Sequence, residues 1–286
     1  MDVFLRSLNA FLMIALPLGL GVFLARRFRV GWRLFGIGAL IFVVSQVLHI
    51  PFNAWVLNPL MQQWGIFGTQ AGFRLVLFAL LLGVSAGVFE EVARYLFIRF
   101  WLKDDRDWES ALMLGAGHGG VEVILFGLLA LYALIQALAL RNADLSVLLP
   151  PEQIEMAQAQ LQTYWALPWP MTLMGAVERI GALCFHLSAT LLVLQVFVRR
   201  NWLWLLAAIG WHTLLDAVAV FAVQTWGIYV TEGLVLFMGA VGVGIIFWLR
   251  DSRSEPEQGS TPPQPPASES RSSPPSSEHL DDSRFV

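Results

Sequence analysis

Seven apolar blocks, each close to or longer than the ~20 residues that cross a bilayer core, dominate this chain of 286 residues. They run roughly over 4–25, 33–57, 73–98, 109–139, 171–198, 202–224 and 228–249. A soluble domain of this length needs a polar coat. Here 57% of residues are apolar, 14% are charged and the mean hydropathy is +0.63, far from the usual soluble balance. The expected fold is therefore all-α, a polytopic transmembrane helical bundle of about seven spans. The first block is followed, not preceded, by its arginines, so it reads as an uncleaved span rather than a signal peptide.

The basic residues of the connections alternate. Arg26, Arg27, Arg29 and Arg33 follow the first span, while NPLMQQWGIFGTQAG after the second has no charge. Arg99, Lys103 and Arg106 follow the third. Arg141 after the fourth is accompanied by Asp144, Glu152 and Glu155. Arg199 and Arg200 follow the fifth, only Glu232 the sixth, and Arg250 and Arg253 the seventh. Because cytoplasmic loops collect Lys and Arg, the pattern places the N-terminus outside and the C-terminus in the cytoplasm. The localisation expected is a multi-pass cell-membrane protein, of a prokaryotic plasma membrane.

Two segments stand apart from the spans. LSVLLPPEQIEMAQAQLQTYW reads as a short helix after a Pro-Pro start, either amphipathic on the outer interface or a plain loop helix. Two domains follow from composition: a transmembrane domain over 1–250 and a Ser/Pro-rich tail over 251–286. That tail holds seven acidic and three basic residues, a net of −4 that leaves the preceding chain at +1 within the total of −3. It reads as disordered and cytoplasmic. The single cysteine, Cys184, excludes an intrachain disulfide and a cysteine-based metal site.

Ionisable residues inside spans cost about 2.5–3.5 kcal/mol each on insertion scales, so they mark function by default. The third span carries GVFEEVARYLF, with Glu90, Glu91 and Arg94. Glu90 and Arg94 are four apart and can pair on one helix face. Glu91 is rotated away, so Arg94 cannot serve both acids equally and one carboxylate is left to face the interior. The fourth span carries GAGHGGVEV, in which His118 and Glu122 are four apart among glycines that admit close approach. The fifth carries Glu178, Arg179, His186, Ser188 and Thr190. The sixth carries His212 and Asp216, also four apart. Measured from the basic clusters, Glu90, His118, His186 and His212 all lie roughly 14 to 20 Å from the inner boundary at ~1.5 Å per residue. Each group alone is what a helix–helix hydrogen bond looks like. Their shared depth in spans running in opposite directions points to one site. His49, near the outer end of span two, reads as structural.

A carboxylate in a water-poor site can serve as a general base, and neighbouring imidazoles can hold an oxyanion, donate to a leaving amine or bind a metal. Two hydrolytic designs fit: direct activation of water by a glutamate, or activation by zinc on His and carboxylate ligands. Neither HExxH nor GxSxG is present.

The set Glu90-Glu91-x-x-Arg94, His118-x-x-x-Glu122, His186-x-x-x-Thr190 and His212-x-x-x-Asp216 resembles the YhfC-type intramembrane peptidases. These are similar to the PrsW proteases and to CAAX-processing and bacteriocin-processing membrane proteases. The resemblance spans the third to sixth helices and not the tail. It implies that Glu90 activates water, that Arg94 steadies the glutamate pair, and that His212, with Asp216, helps bind the oxyanion. The spacing is EExxR, nearer the PrsW-like EExxK than the CAAX-type EExxxR, and His118 strengthens the case for metal. Glutamate-type and metallo-type chemistry therefore both stay open.

The expected activity is intramembrane endopeptidase, cutting membrane-embedded or membrane-proximal peptide segments. The expected catalytic residues are Glu90, Glu91, Arg94, His118, Glu122, His186, His212 and Asp216. The cofactor is either none or Zn2+, on His118, Glu122, His186 and His212. The partners are a membrane protein or peptide substrate and the lipid bilayer, with no nucleic acid. The alternative is a proton- or metal-coupled transporter, for which midplane acids and histidines also serve; no inverted repeat supports it. A non-catalytic scaffold would be expected to have lost part of this set.

Overall fold

The computed structural model describes residues 2–69 and 71–251. The expected tail over 251–286 lies, apart from the helical backbone of Asp251, outside the described residues. Among the described residues the chain is helical and has no strand. Its helices are α1 (Asp2–Phe28), α2 (Trp32–Phe52), α3 (Asn58–Gln63), α4 (Gly72–Phe100), α5 (Trp108–Leu140), α6 (Leu145–Leu148), α7 (Pro151–Ala166), α8 (Trp169–Val198), α9 (Leu203–Thr225) and α10 (Ile228–Asp251).

Among the described residues, seven stretches are long and apolar enough to span a membrane, as expected from hydropathy. The second runs further than read from sequence, to Gln63. Pro51 lies inside α2 and lacks the N–H that would bond four residues back. A π-helical stretch, Asn53–Leu57, follows at once and carries the helix on into α3.

The bundle is arranged around α8. In its most apolar window 78% of residues are buried, against 22–39% for the other spans, so α8 is the axis that the others cover. It packs against α1, α4, α5, α9 and α10, while α4 pairs with α9 and α5 pairs with α1 and α2. Outward faces are apolar and exposed, as at Phe73, Val47 and Leu129. That is the inverse of a soluble surface and fits lipid contact.

The segment after α5 forms the expected helix, beginning on Pro151 at its first turn. None of its residues is buried. It is tied to α1 by Arg6, whose guanidinium donates to the Tyr164 carbonyl at 2.5 Å and lies over the Tyr164 ring. Cys184 sits half-buried on α8.

Small residues set the distances between helices. A Cβ on Gly117 would meet the Phe35 carbonyl oxygen at 2.0 Å, and one on Gly38 would meet that of Leu114 at 2.1 Å. The backbones of α2 and α5 are thus in reciprocal contact through two glycines. Gly119 leaves room for the His186 ring, and Gly87 for the backbone and side chain of α9 around His212. The glycines flanking His118 are spent on close approach to α2 and α8.

Gly117→Val should therefore force α2 and α5 apart, lowering stability by about 3 kcal/mol. Gly36→Ala, at a position with open space around it, should change stability little. Thermal unfolding of the two variants in detergent micelles checks the contrast.

Candidate active site

The polar groups of α4, α5, α8 and α9 meet inside the bundle. Glu91, Arg94 and His118 have no exposed surface, and His212, His186 and Glu90 are 3%, 4% and 6% exposed. A cavity of about 250 Å3 reaches this cluster, with Glu90, Glu122, His186, His212 and Asp216 in its wall.

The first pairing differs from the sequence expectation. Arg94 makes its ion pair with Glu91, three residues away, and not with Glu90. Both spacings bring side chains together on a helix. Arg94 turns toward α8, where its Nη2 lies 3.5 Å from His186 Nδ1. Glu90 points to the other side, toward α2 and α5. It is Glu90 that is left facing the interior, as one of the pair had to be.

Glu90 Oε2 lies 3.0 Å from His118 Nε2 and 3.9 Å from His212 Nε2. Its Oε1 accepts from the Gln46 amide at 2.9 Å. Glu91 Oε1 lies 2.8 Å from His212 Nδ1. A carboxylate already paired with arginine accepts that contact, so Nδ1 carries a proton and Nε2 faces Glu90. Asp216, four residues along α9, stands 3.6 Å from the same Nε2.

A second set of contacts fixes His186. Its Nε2 lies 2.7 Å from Glu122 Oε2, and Arg179 donates to Glu122 Oε1 at 3.0 Å. Arg179 also pairs with Glu178 and lies over the Phe126 ring. Glu122 thus pairs across helices with His186 and not with His118 on its own helix. Thr190 returns its hydroxyl to the His186 carbonyl at 2.8 Å and takes no part in the cluster.

All eight expected residues are brought to one region, but not all as one set of donors. Glu90, His118 and His186 offer one ligand atom each, mutually within 4.8 Å. Glu122 sits behind them, bonded to His186, and His212 stands 3.9 Å from Glu90 while bonded to Glu91. Two imidazoles and a carboxylate form a donor set that zinc takes in hydrolases. His118 Nδ1 is buried without a hydrogen-bond partner, and Glu122 holds His186 in the manner of the carboxylates that orient metal-binding histidines. The residues fit a zinc ion.

Sequence reasoning missed Gln46, which contacts Glu90 directly, and placed His49 outside the site. His49 lines the cavity with Gln46. The available signal was the spacing of Gln46, His49 and Asn53 along one face of α2 and its π-helical continuation.

Fold and site together define a multi-pass helical membrane protein with a buried carboxylate–imidazole centre. The chain belongs to the YhfC family, whose model, described as YhfC intramembrane metalloprotease, matches residues 12–236. It is also 33% identical over 229 residues to the uncharacterized membrane protein YhfC of Bacillus subtilis (strain 168), covering 75% of this chain and 82% of that relative. No solved structure matches.

Removing Arg94 leaves Glu91 buried without its guanidinium, held by His212 alone. Arg94→Met should destabilise the bundle by roughly 3–5 kcal/mol, and a joint Glu91→Leu/Arg94→Met change should recover much of that loss. Unfolding midpoints of the unaltered protein and both variants in micelles measure both effects.

Proposed function

We propose that this chain is an intramembrane endopeptidase acting on membrane-embedded or membrane-proximal peptide segments, with Glu90 at the centre of its chemistry. The observation that carries the reading is the convergence of Glu90, His118, His186 and His212 from four helices beside a cavity within the spans. Membership of a family described as metalloproteases supports it.

In this reading a peptide carbonyl sits in the cavity. Glu90 Oε2, the oxygen not held by Gln46, takes the proton of the attacking water and passes it toward the leaving amine. His212 Nε2, aimed by Glu91 at Nδ1, faces the same space and stabilises charge on the carbonyl oxygen. Asp216 stands beside that nitrogen. Arg94 pairs with Glu91 and so steadies this aim. Glu90, His118 and His186 would hold zinc, which when bound supplies Lewis-acid polarisation and a more acidic water. Glu122 and Arg179 fix His186 for that purpose. Without a metal, the same carboxylate activates water alone.

The route to the site supports a substrate from the bilayer. A groove of about 630 Å3 lies between α2 and α5 on the outer surface of the bundle, walled by Val43, Val47, Ile50, Leu125 and Leu129. It shares Phe42, Gln46, Glu122 and Phe126 with the catalytic cavity. An apolar segment resting there is one side chain away from the polar centre.

The test is hydrolysis of a set of fluorogenic single-span Leu/Ala peptides in proteoliposomes. Glu90→Ala and His212→Ala should each slow cleavage by about 10²–10⁴-fold. Loss of activity on chelation and its return with Zn2+ would assign the metallo-type; indifference to chelator would assign the glutamate-type. Unchanged hydrolysis by both variants sinks the proposal. Zinc or proton flux in the same vesicles without cleavage would mark a carrier instead.

A further inference from the structure

Four uncharged polar side chains on α2, the π-helical stretch after it and α4 form an unbroken chain that ends on Glu90. Ser85 donates its hydroxyl to Asn53 Oδ1 at 2.7 Å. Asn53 Nδ2 donates to His49 Nε2 at 2.9 Å. His49 Nδ1 lies 3.3 Å from Gln46 Oε1. Gln46 Nε2 donates to Glu90 Oε1 at 2.9 Å. An amide NH2 only donates, so His49 Nε2 must accept, and Nδ1 must then carry the proton that goes to Gln46. Every donor points the same way, and the last acceptor is the carboxylate. Aligned bonds of this kind polarise one another.

We propose that Gln46 and His49 are positioning residues for Glu90. A carboxylate has two equivalent oxygens and a soft terminal torsion. The chain from α2 occupies Oε1 and so assigns Oε2 to His118 and His212. It also limits rotation of the group. The inference rests on the reading of Glu90 given above and adds residues that the glutamate, histidine and arginine motifs do not contain.

The backbone of α2 is shaped around this chain. Asn53 opens the π-helical stretch, and its own N–H bonds the carbonyls of both His49 and Ile50. Side chain and main chain of Asn53 thus grip the same histidine. One face of the ring is stacked on Phe89, with centroids 5.4 Å apart and planes 25° from parallel. Phe89 is the residue before Glu90. His49 is fixed by Phe89 on one face and by a partner at each ring nitrogen. A π-turn in a helix is uncommon and often marks a functional region, and polar side chains in a span are costly unless they serve one.

The experiment is zinc binding by the full-length chain in detergent micelles, read by competition with a chelating dye. Gln46→Leu and His49→Phe, the latter keeping a ring against Phe89, should each weaken Zn2+ binding about ten-fold, as loss of a ligand-orienting partner does. The double variant should bind no more weakly than Gln46→Leu alone, because both act through one chain. Leu48→Ala, on an exposed part of α2, should match the unaltered protein. Equal affinity in all of these proteins overturns the proposal. Should the unaltered protein take up no zinc, the metal reading fails separately. Thermal unfolding of Gln46→Leu, Glu90→Leu and their combination then decides: a double effect smaller than the sum of the two supports the tether, and additive effects overturn it.

Discussion

The Glu91–Arg94 pair is the interaction on which the rest of the buried centre depends. Both side chains are without exposed surface. In hydrocarbon neither charge could stand alone, so each fixes the other. Arg94 spends itself on Glu91 and reaches His186 with its remaining nitrogen. That leaves Glu90 without a guanidinium and turns it toward imidazoles. Glu91, paired with Arg94, fixes His212 through Nδ1. One ion pair thereby decides which glutamate is free, which nitrogen of His212 is presented, and which side of α8 the arginine covers.

Close packing makes these contacts reachable. Polar side chains of moderate length can meet across helices only if backbones approach, and the approach is set where Gly38 and Gly117 place α2 on α5, Gly119 admits the His186 ring and Gly87 admits α9. The glycines around His118 weaken helix propensity. Their loss is offset by packing on both sides of α5 and by the membrane, which gives the backbone no water to bond instead.

Much of this was legible in the sequence. Hydropathy alone finds the seven spans, because hydrocarbon thickness is a strong filter on length. The depth comparison brings Glu90, His118, His186 and His212 to one layer, because helical rise converts residue number into distance. Rotation is harder. Glu90 and Glu91 both lie within reach of Arg94, and only the neighbouring helix shows which one it takes. His118–Glu122 is a sound pair by spacing, yet Glu122 goes to His186 because α8 packs against α5. Gln46 carries no charge and hides in an apolar block, and the π-helical stretch that extends the second span leaves no mark in hydropathy.

Charge balance gives the centre its chemical character. Glu90, Glu91 and Glu122 are enclosed with Arg94 and Arg179, so the acids outnumber the guanidiniums, and Asp216 and Glu178 add two more carboxylates that are a third exposed. The surplus negative charge has to be met by protons on the histidines or by a cation. The imidazoles of His118 and His186 stand beside Glu90, where either solution is open to them. A bundle built only for stability would be better served by apolar residues at these positions. Keeping an excess of carboxylates around three histidines and a cavity makes sense where protons are to be moved or a cation held, as the peptide hydrolysis proposed for this chain requires.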